Sequence, residues 1–196
     1  FIIIFLAKNN NQLESEKLGA KFFGFVKSNE VSDIFIDGPD FFHSKKSNIN
    51  FDSFVHGAEL KSYEFNLYKT KKKNKVINFN INRKDIYNKK QKLDSILSGV
   101  NFTRDLVSEP GNILHPDEYA RRLLPLKKLG IKVTVYDKKK LKKLGCNALL
   151  GVGQGSVRGS YLVTMEWNGA KSKSKPLAFV GKGVCFDTGG YSLKPA

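Results

Sequence analysis

The sequence predicts an α/β chain: a partial N-terminal α/β domain, followed by the beginning of a second α/β domain with a mostly parallel sheet. Three observations predict it. Short β-rich apolar runs alternate along the chain with stretches of helical period. The first such run, Phe1–Ala7, is continuous rather than alternating, as in a strand buried on both faces. Gly38-Pro39 and Pro110-Gly111 break the periodic segments where one element must end. No internal repeat is visible.

The elements follow in order. After the Phe1–Ala7 strand, Leu13, Lys17, Leu18, Phe22, Phe25 and Val26 fall at helical spacing, and Val31–Ile36 is again short and β-rich. Polar, turn-forming residues run from Gly38 to Asn50. Asn50 or Asp52 then caps a helix from Phe51 to about Tyr68, with Phe51, Phe54, Val55, Ala58 and Phe65 as its apolar stripe. The basic run Lys69–Lys75 reads as an exposed turn, and Val76–Ile81 alternates like a half-exposed strand. A long helix is expected from Asp85 to Val107, burying Ile86, Leu93, Ile96, Leu97, Val100, Leu106 and Val107, and ended by Pro110-Gly111.

A domain boundary is expected between Ile81 and Lys92, which divides the chain into 1–84, a linking helix 85–110, and 111–196. In the last part, Pro116-Asp117-Glu118 starts a helix that runs to about Leu129 and stops at Gly130. Ile131–Tyr136, Tyr161–Trp167 and Leu177–Val180 read as strands, and Asp137–Leu144 as a short basic helix.

Composition narrows the function classes. Of 196 residues, 40% are hydrophobic and 12% aromatic, enough for packed cores and against wholesale disorder. The 34 Lys and Arg against 18 Asp and Glu give a formal charge of +16, so nucleic acid enters as a possible partner and an anionic surface as another. A solvated lysine surface explains the same number. No apolar run approaches the ~20 residues that cross a bilayer, so no membrane role is expected. Cys146 and Cys185 form no C-x-x-C pair, which fits a reducing cytoplasm. The chain opens without Met inside an apparent strand and stops just after a glycine-rich loop, so a fragment of a longer protein is expected.

That loop is the segment richest in chemistry. In Val180–Pro195 (VGKGVCFDTGGYSLKP), four glycines fall within the ten residues 181–190, beside Lys182, Asp187 and Lys194. It follows an expected strand, and in an open α/β sheet ligands bind beyond the carboxyl ends of strands. A P-loop needs G-x-x-x-x-G-K followed by Ser or Thr, and Gly183 follows Lys182 instead. Gly151-Val-Gly-Gln-Gly155 lacks the spacing and the helix start of a dinucleotide fingerprint and reads as a turn between two strands. A metal loop suits the residue types better. Asp187 is a hard oxygen donor able to bridge two ions, a lysine ligates through a neutral amine, and a second lysine left protonated can polarise a carbonyl. Spacing alone leaves open the plainer alternative, in which both lysines are exposed and Asp187 caps a turn. His43, His56 and His115 fall at no metal-ligand spacing and read as structural or exposed. Cys185 lies next to lysines that lower a thiol's pKa, but with no histidine partner evident it reads as a packing residue.

The Val180–Pro195 run closely resembles the metal-binding signature of the leucyl aminopeptidase family, the cytosol-type dimetal exopeptidases. Asn101–Arg122 (NFTRDLVSEPGNILHPDEYARR) is similar to the segment opening that family's catalytic domain. Phe54–Lys73 is similar to the end of its amino-terminal domain, and Ala148–Ser156 also fits the pattern. The resemblance covers roughly 51–196 and implies that 111–196 starts a metallopeptidase catalytic domain.

It further implies that Lys182 and Asp187 are metal ligands and that Lys194 is the catalytic electrophile toward the peptide carbonyl. The implied cofactors are two divalent ions per subunit, Mn or Zn, activating a water that attacks the amino-terminal peptide bond. The implied substrates are peptides with a free N-terminus, leucine-type, and the implied assembly is a cytoplasmic homohexamer. The family's remaining ligands and its arginine would lie past Ala196, so the isolated chain is expected to be inactive. At Cys185 the sequence departs from the small or hydroxylic residue common in the family.

Overall fold

The computed structural model describes residues 11–31, 33–36, 50–70, 77–81, 90–169 and 175–186. The chain divides into two compact units, Phe1–Val107 and Ser108–Ala196. Each mixes helix and strand, as the sequence predicts. The expected strand Phe1–Ala7 and His43 lie outside the described residues.

The first unit centres on a pair of closely packed helices, α1 (Gln12–Ser28) and α2 (Phe51–Ser62). A full capping box starts α1: Asn11 Oδ1 accepts from the Glu14 backbone N–H at 2.9 Å, and Glu14 Oε2 accepts from the Asn11 N–H at 3.0 Å. Asn50 caps α2, its Oδ1 accepting from the Ser53 N–H at 3.1 Å, while its own N–H donates to Ser15 Oγ at 3.1 Å. The face that α1 buries is Ser15, Gly19, Phe23 and Val26. Leu13 and Phe25, expected inside, are exposed. The reason is the closeness of the crossing. A Cβ on Gly19 would collide with the Phe54 carbonyl, and one on Gly57 would collide with the Glu16 carbonyl. Small residues therefore occupy the contact line, and Phe51, Phe54, Val55 and Ala58 fill the space beside it. Phe22 and Phe54 meet with ring centroids 5.4 Å apart. His56, expected to be structural or exposed, is buried on α2.

α2 ends at Ser62 rather than near Tyr68. Tyr63 leaves the helical region with ψ 130°, and the interactions that stop it come from far along the chain. Arg104 Nη1 donates to the Leu60 carbonyl at 2.6 Å, satisfying one of the acceptors a helix end leaves open. The same guanidinium lies 5.3 Å from the Tyr63 ring centroid, and the Tyr63 hydroxyl donates to Asp105 at 2.9 Å. Arg104 and Asp105 belong to α3 (Lys90–Ser108), whose expected first turn, residues 85–89, falls outside the described residues. Along α3, Leu93 and Leu106 are buried, but Ile96 and Val107 are exposed, contrary to the expected stripe. β1 (Asp33–Ile36) pairs in parallel with β2 (Asn78–Ile81), Asp33 opposite Asn78 and Ile36 opposite Ile81.

In the second unit, α4 (Pro116–Leu123) gives way to a 3-10 helix, Leu124–Leu129, where one continuous α-helix was expected. Pro125 accounts for the change, because it has no N–H for the α-helical ladder. Gly130, at φ 82°, terminates the segment as expected. β3 (Lys132–Tyr136) and β4 (Leu162–Glu166) pair antiparallel, with Lys132 opposite Glu166. Between them lie α5 (Lys138–Lys143), capped by Asp137, and α6 (Asn147–Val152). The Gly151–Gly155 cluster thus closes a helix instead of joining two strands. Leu114, Ala120, Leu123, Val133 and Leu141 form this unit's core. Leu177–Val180, expected as a strand, forms none; Phe179 is 90% and Val180 100% exposed, with no described strand to pair them.

Candidate functional site

The glycine-rich loop is seated on the start of α4. Upstream, Pro110 turns the chain: its carbonyl accepts from the Ile113 and Leu114 N–H groups, each at 2.9 Å. His115 then stands at the N-cap of α4, and its Nδ1 pairs with the Asp117 carboxylate. The other Asp117 oxygen takes Arg158 Nη1 at 3.1 Å. Burial alone would raise the Asp117 pKa. Its own backbone N–H, the His115 hydrogen bond and the charges of His115 and Arg158 outweigh that and hold it below the usual carboxylate range.

A second network staples the turn to the helix. Glu109, its side chain only 2% exposed, accepts from Arg122 Nη1 at 2.6 Å. Arg122 Nε also reaches Glu118 at 2.8 Å, and Arg121 grips Glu118 through two nitrogens at 2.6 and 2.7 Å. Hydrogen bonds from Arg121 and then Arg122 hold the Glu118 carboxyl down at about 2. Such charge-assisted, bidentate pairs fix geometry as well as energy.

Residues Gly183–Phe186 lie on this platform. A Cβ at Gly183 would stand 2.8 Å from the Tyr119 ring, and one at Gly111 would stand 3.0 Å from the Phe186 Cβ and 3.1 Å from the Cys185 carbonyl oxygen. A side chain at Gly183 would require the Tyr119 ring to shift, and one at Gly111 would crowd the Cys185–Phe186 chain. The Val184 N–H donates to the Lys182 carbonyl at 3.2 Å, tightening the turn. Lys182 itself is exposed and has no carboxylate partner among the described residues. Asp187 and Lys194 lie outside the described residues. Burial, then the nearby Asp117 charge, pushes the half-buried Cys185 thiol up, the opposite of the lowering that neighbouring lysines were expected to cause. Both cysteines are free thiols.

As to a metal, Lys182 fits as one nitrogen donor. Among the described residues no group of three or more His, Cys, Asp or Glu side chains is placed to hold an ion. The sequence marked the helix start at Pro116, but not the Glu109–Arg122 bridge or the closeness of Gly183 to the Tyr119 ring. The one available signal was the Glu118, Arg121, Arg122 spacing, which puts acid and bases on one helical face.

The second unit thus mixes helix and strand and carries its glycine-rich loop against the start of a capped helix. Residues 101–196 match the profile of the cytosol aminopeptidase family, catalytic domain. Probable cytosol aminopeptidases from Afipia carboxidovorans and Phytoplasma mali are 49% and 50% identical, covering 71% and 72% of this chain and 30% of each relative. One from Rhizobium rhizogenes is 42% identical over 97% of this chain and 40% of its own length. Residues 101–196 are thus similar to the catalytic domain of the cytosol aminopeptidase family, and the chain spans about 30–40% of the length of these curated relatives. A mutant of the tomato leucine aminopeptidase has the same fold, with TM-score 0.66 at 22% identity over 80% of this chain and 33% of that one. The bottromycin maturation enzyme BotP in complex with Mn gives 0.65 at 18% over 83% and 34%.

Proposed function

We propose that this protein is a metal-dependent aminopeptidase releasing N-terminal residues, leucine-type ones among them, from peptides. The match of residues 101–196 to a cytosol aminopeptidase catalytic domain carries this reading, with identities near 50% to relatives of that name in support. In it, Lys182 and Asp187 hold two divalent ions, Mn or Zn. Bound there, the ions supply the Lewis acidity that polarises a peptide carbonyl and lowers the pKa of a water. Lys194 donates to the carbonyl oxygen as negative charge develops on it. The substrate is a peptide with a free N-terminus, and the working assembly is a cytoplasmic homohexamer. No helix among the described residues is long and apolar enough to cross a membrane. The nucleic-acid reading of the +16 charge gains no structural support, because most of the Lys69–Lys75 run lies outside the described residues.

The test is hydrolysis of leucine p-nitroanilide by the intact protein, before and after chelation. Activity lost to chelator and restored by Mn or Zn supports the reading. Asp187→Ala is expected to lose both metal and activity, and Lys194→Ala to keep metal and lose turnover. Chelator-insensitive hydrolysis, or equal cleavage of an N-acetylated peptide, would refute it.

A further inference from the structure

We propose that residues 127–145 form a docking surface for an anionic lipid bilayer, with lysines that meet the headgroups and two leucines that enter the layer beneath them. The inference is independent of the metal reading and uses none of its residues. In this stretch eight lysines stand against a single acid, Asp137, whose Oδ1 already accepts from the Lys140 backbone N–H at 2.9 Å. All eight are exposed. Lys132 pairs with Glu166 at 3.1 Å, and Lys140 Nζ donates to the Val135 carbonyl at 3.3 Å. Lys127, Lys128, Lys138, Lys139, Lys142 and Lys143 have no carboxylate partner among the described residues.

Two features of this surface exceed what local stability requires. Lys138 and Lys139 open α5, where the positive end of the helix dipole disfavours cations. In addition, Lys-Lys-Leu-Gly occurs twice, at 127–130 and 142–145, each time closing a helix with a left-handed glycine, φ 82° at Gly130 and 71° at Gly145. The leucine at each corner is left in solvent, Leu129 71% and Leu144 60% exposed. β3 packs against both the 3-10 helix and α5, so the two corners belong to one cluster of elements.

The chemistry selects the partner. A bilayer with anionic headgroups offers phosphates to the lysines and an apolar layer just below to the leucines. Lysine stems can lie along that boundary with their amines among the headgroups. Such a contact needs no apolar span, only a surface. A nucleic acid would answer the lysines alone: the stretch holds no arginine to grip a phosphate or a base with two nitrogens, and a phosphate backbone gives leucine no apolar contact.

The test is co-sedimentation of the intact protein with vesicles of equal parts phosphatidylcholine and phosphatidylglycerol, and with vesicles of phosphatidylcholine alone. Binding to the first and not to the second is expected. Lys127→Gln, Lys128→Gln, Lys142→Gln and Lys143→Gln combined are expected to weaken it by about tenfold or more. Lys17→Gln, Lys21→Gln, Lys61→Gln and Lys92→Gln, which remove the same charge from exposed positions of the first unit, are expected to leave most of the affinity. Leu129→Ser with Leu144→Ser, all lysines kept, is expected to cost roughly tenfold. Because every substituted residue is exposed, far-UV circular dichroism should stay unchanged.

No binding to the anionic vesicles, equal losses in the two lysine variants, full affinity in the leucine variant, or release from the vesicles by duplex DNA at lower phosphate concentration would each overturn the proposal. None of these outcomes bears on the peptidase reading, because the assay involves no metal and no peptide.

Discussion

The two units hold their decisive contacts by different physics. In the first, α1 and α2 meet through Gly19 and Gly57 with a phenylalanine cluster alongside, so shape and apolar burial do the holding. In the second, the platform under the loop is held by Glu109, Arg122, Glu118 and Arg121, so charge and hydrogen bonds do it. Steric contacts respond to added volume, and ionic ones respond to acid. The same solvent change should therefore separate the two.

The largest effect is expected at the helix crossing. Gly57→Ala forces a methyl into the Glu16 backbone, and separating the helices should destabilise the first unit by about 3 kcal/mol. Urea unfolding followed by far-UV circular dichroism checks this. Trp167, the single tryptophan, lies in the second unit, and its fluorescence transition should stay in place. Next comes Glu109→Gln. It removes the charge from a buried hydrogen-bonded pair and should cost about 2 kcal/mol, seen this time in the Trp167 transition.

Asn50→Ala, which strips the α2 cap, should cost about 1 kcal/mol and again move only the first unit. The smallest effect belongs to the acid response of Glu118. Its carboxyl is held at about 2 against an ordinary 4.5, so its stabilisation is present above about 4.5 and is lost as pH falls toward about 2. Glu118→Gln should flatten the second unit's stability between those pH values and leave the first unit's profile unchanged.

The same contrast explains what the sequence revealed. Helix starts were legible because they are local: Asn50 and Asp137 bond within three residues of themselves. The end of α2 was not, because it depends on Arg104 reaching back to Leu60. The buried face of α1 was misjudged because apolarity ranks Leu13 and Phe25 above Ser15 and Gly19, whereas a close crossing selects for smallness. The break at Pro125 was written in the sequence and outweighed by the apolar period around it. At the site, Lys182 stood out through its glycine-rich surroundings. The platform beneath it is built from residues 109–122, distant in sequence from the loop, and no local pattern links the two.

The most direct test of the account concerns Lys182 and the ions. The intact protein, loaded with Mn2+ and carrying 15N-labelled lysine, can be examined by pulsed EPR. The account predicts a 15N coupling of directly bound strength that disappears in Lys182→Ala, and an ion that is lost altogether in Asp187→Ala. A bound Mn2+ with no lysine nitrogen in its inner sphere would contradict it.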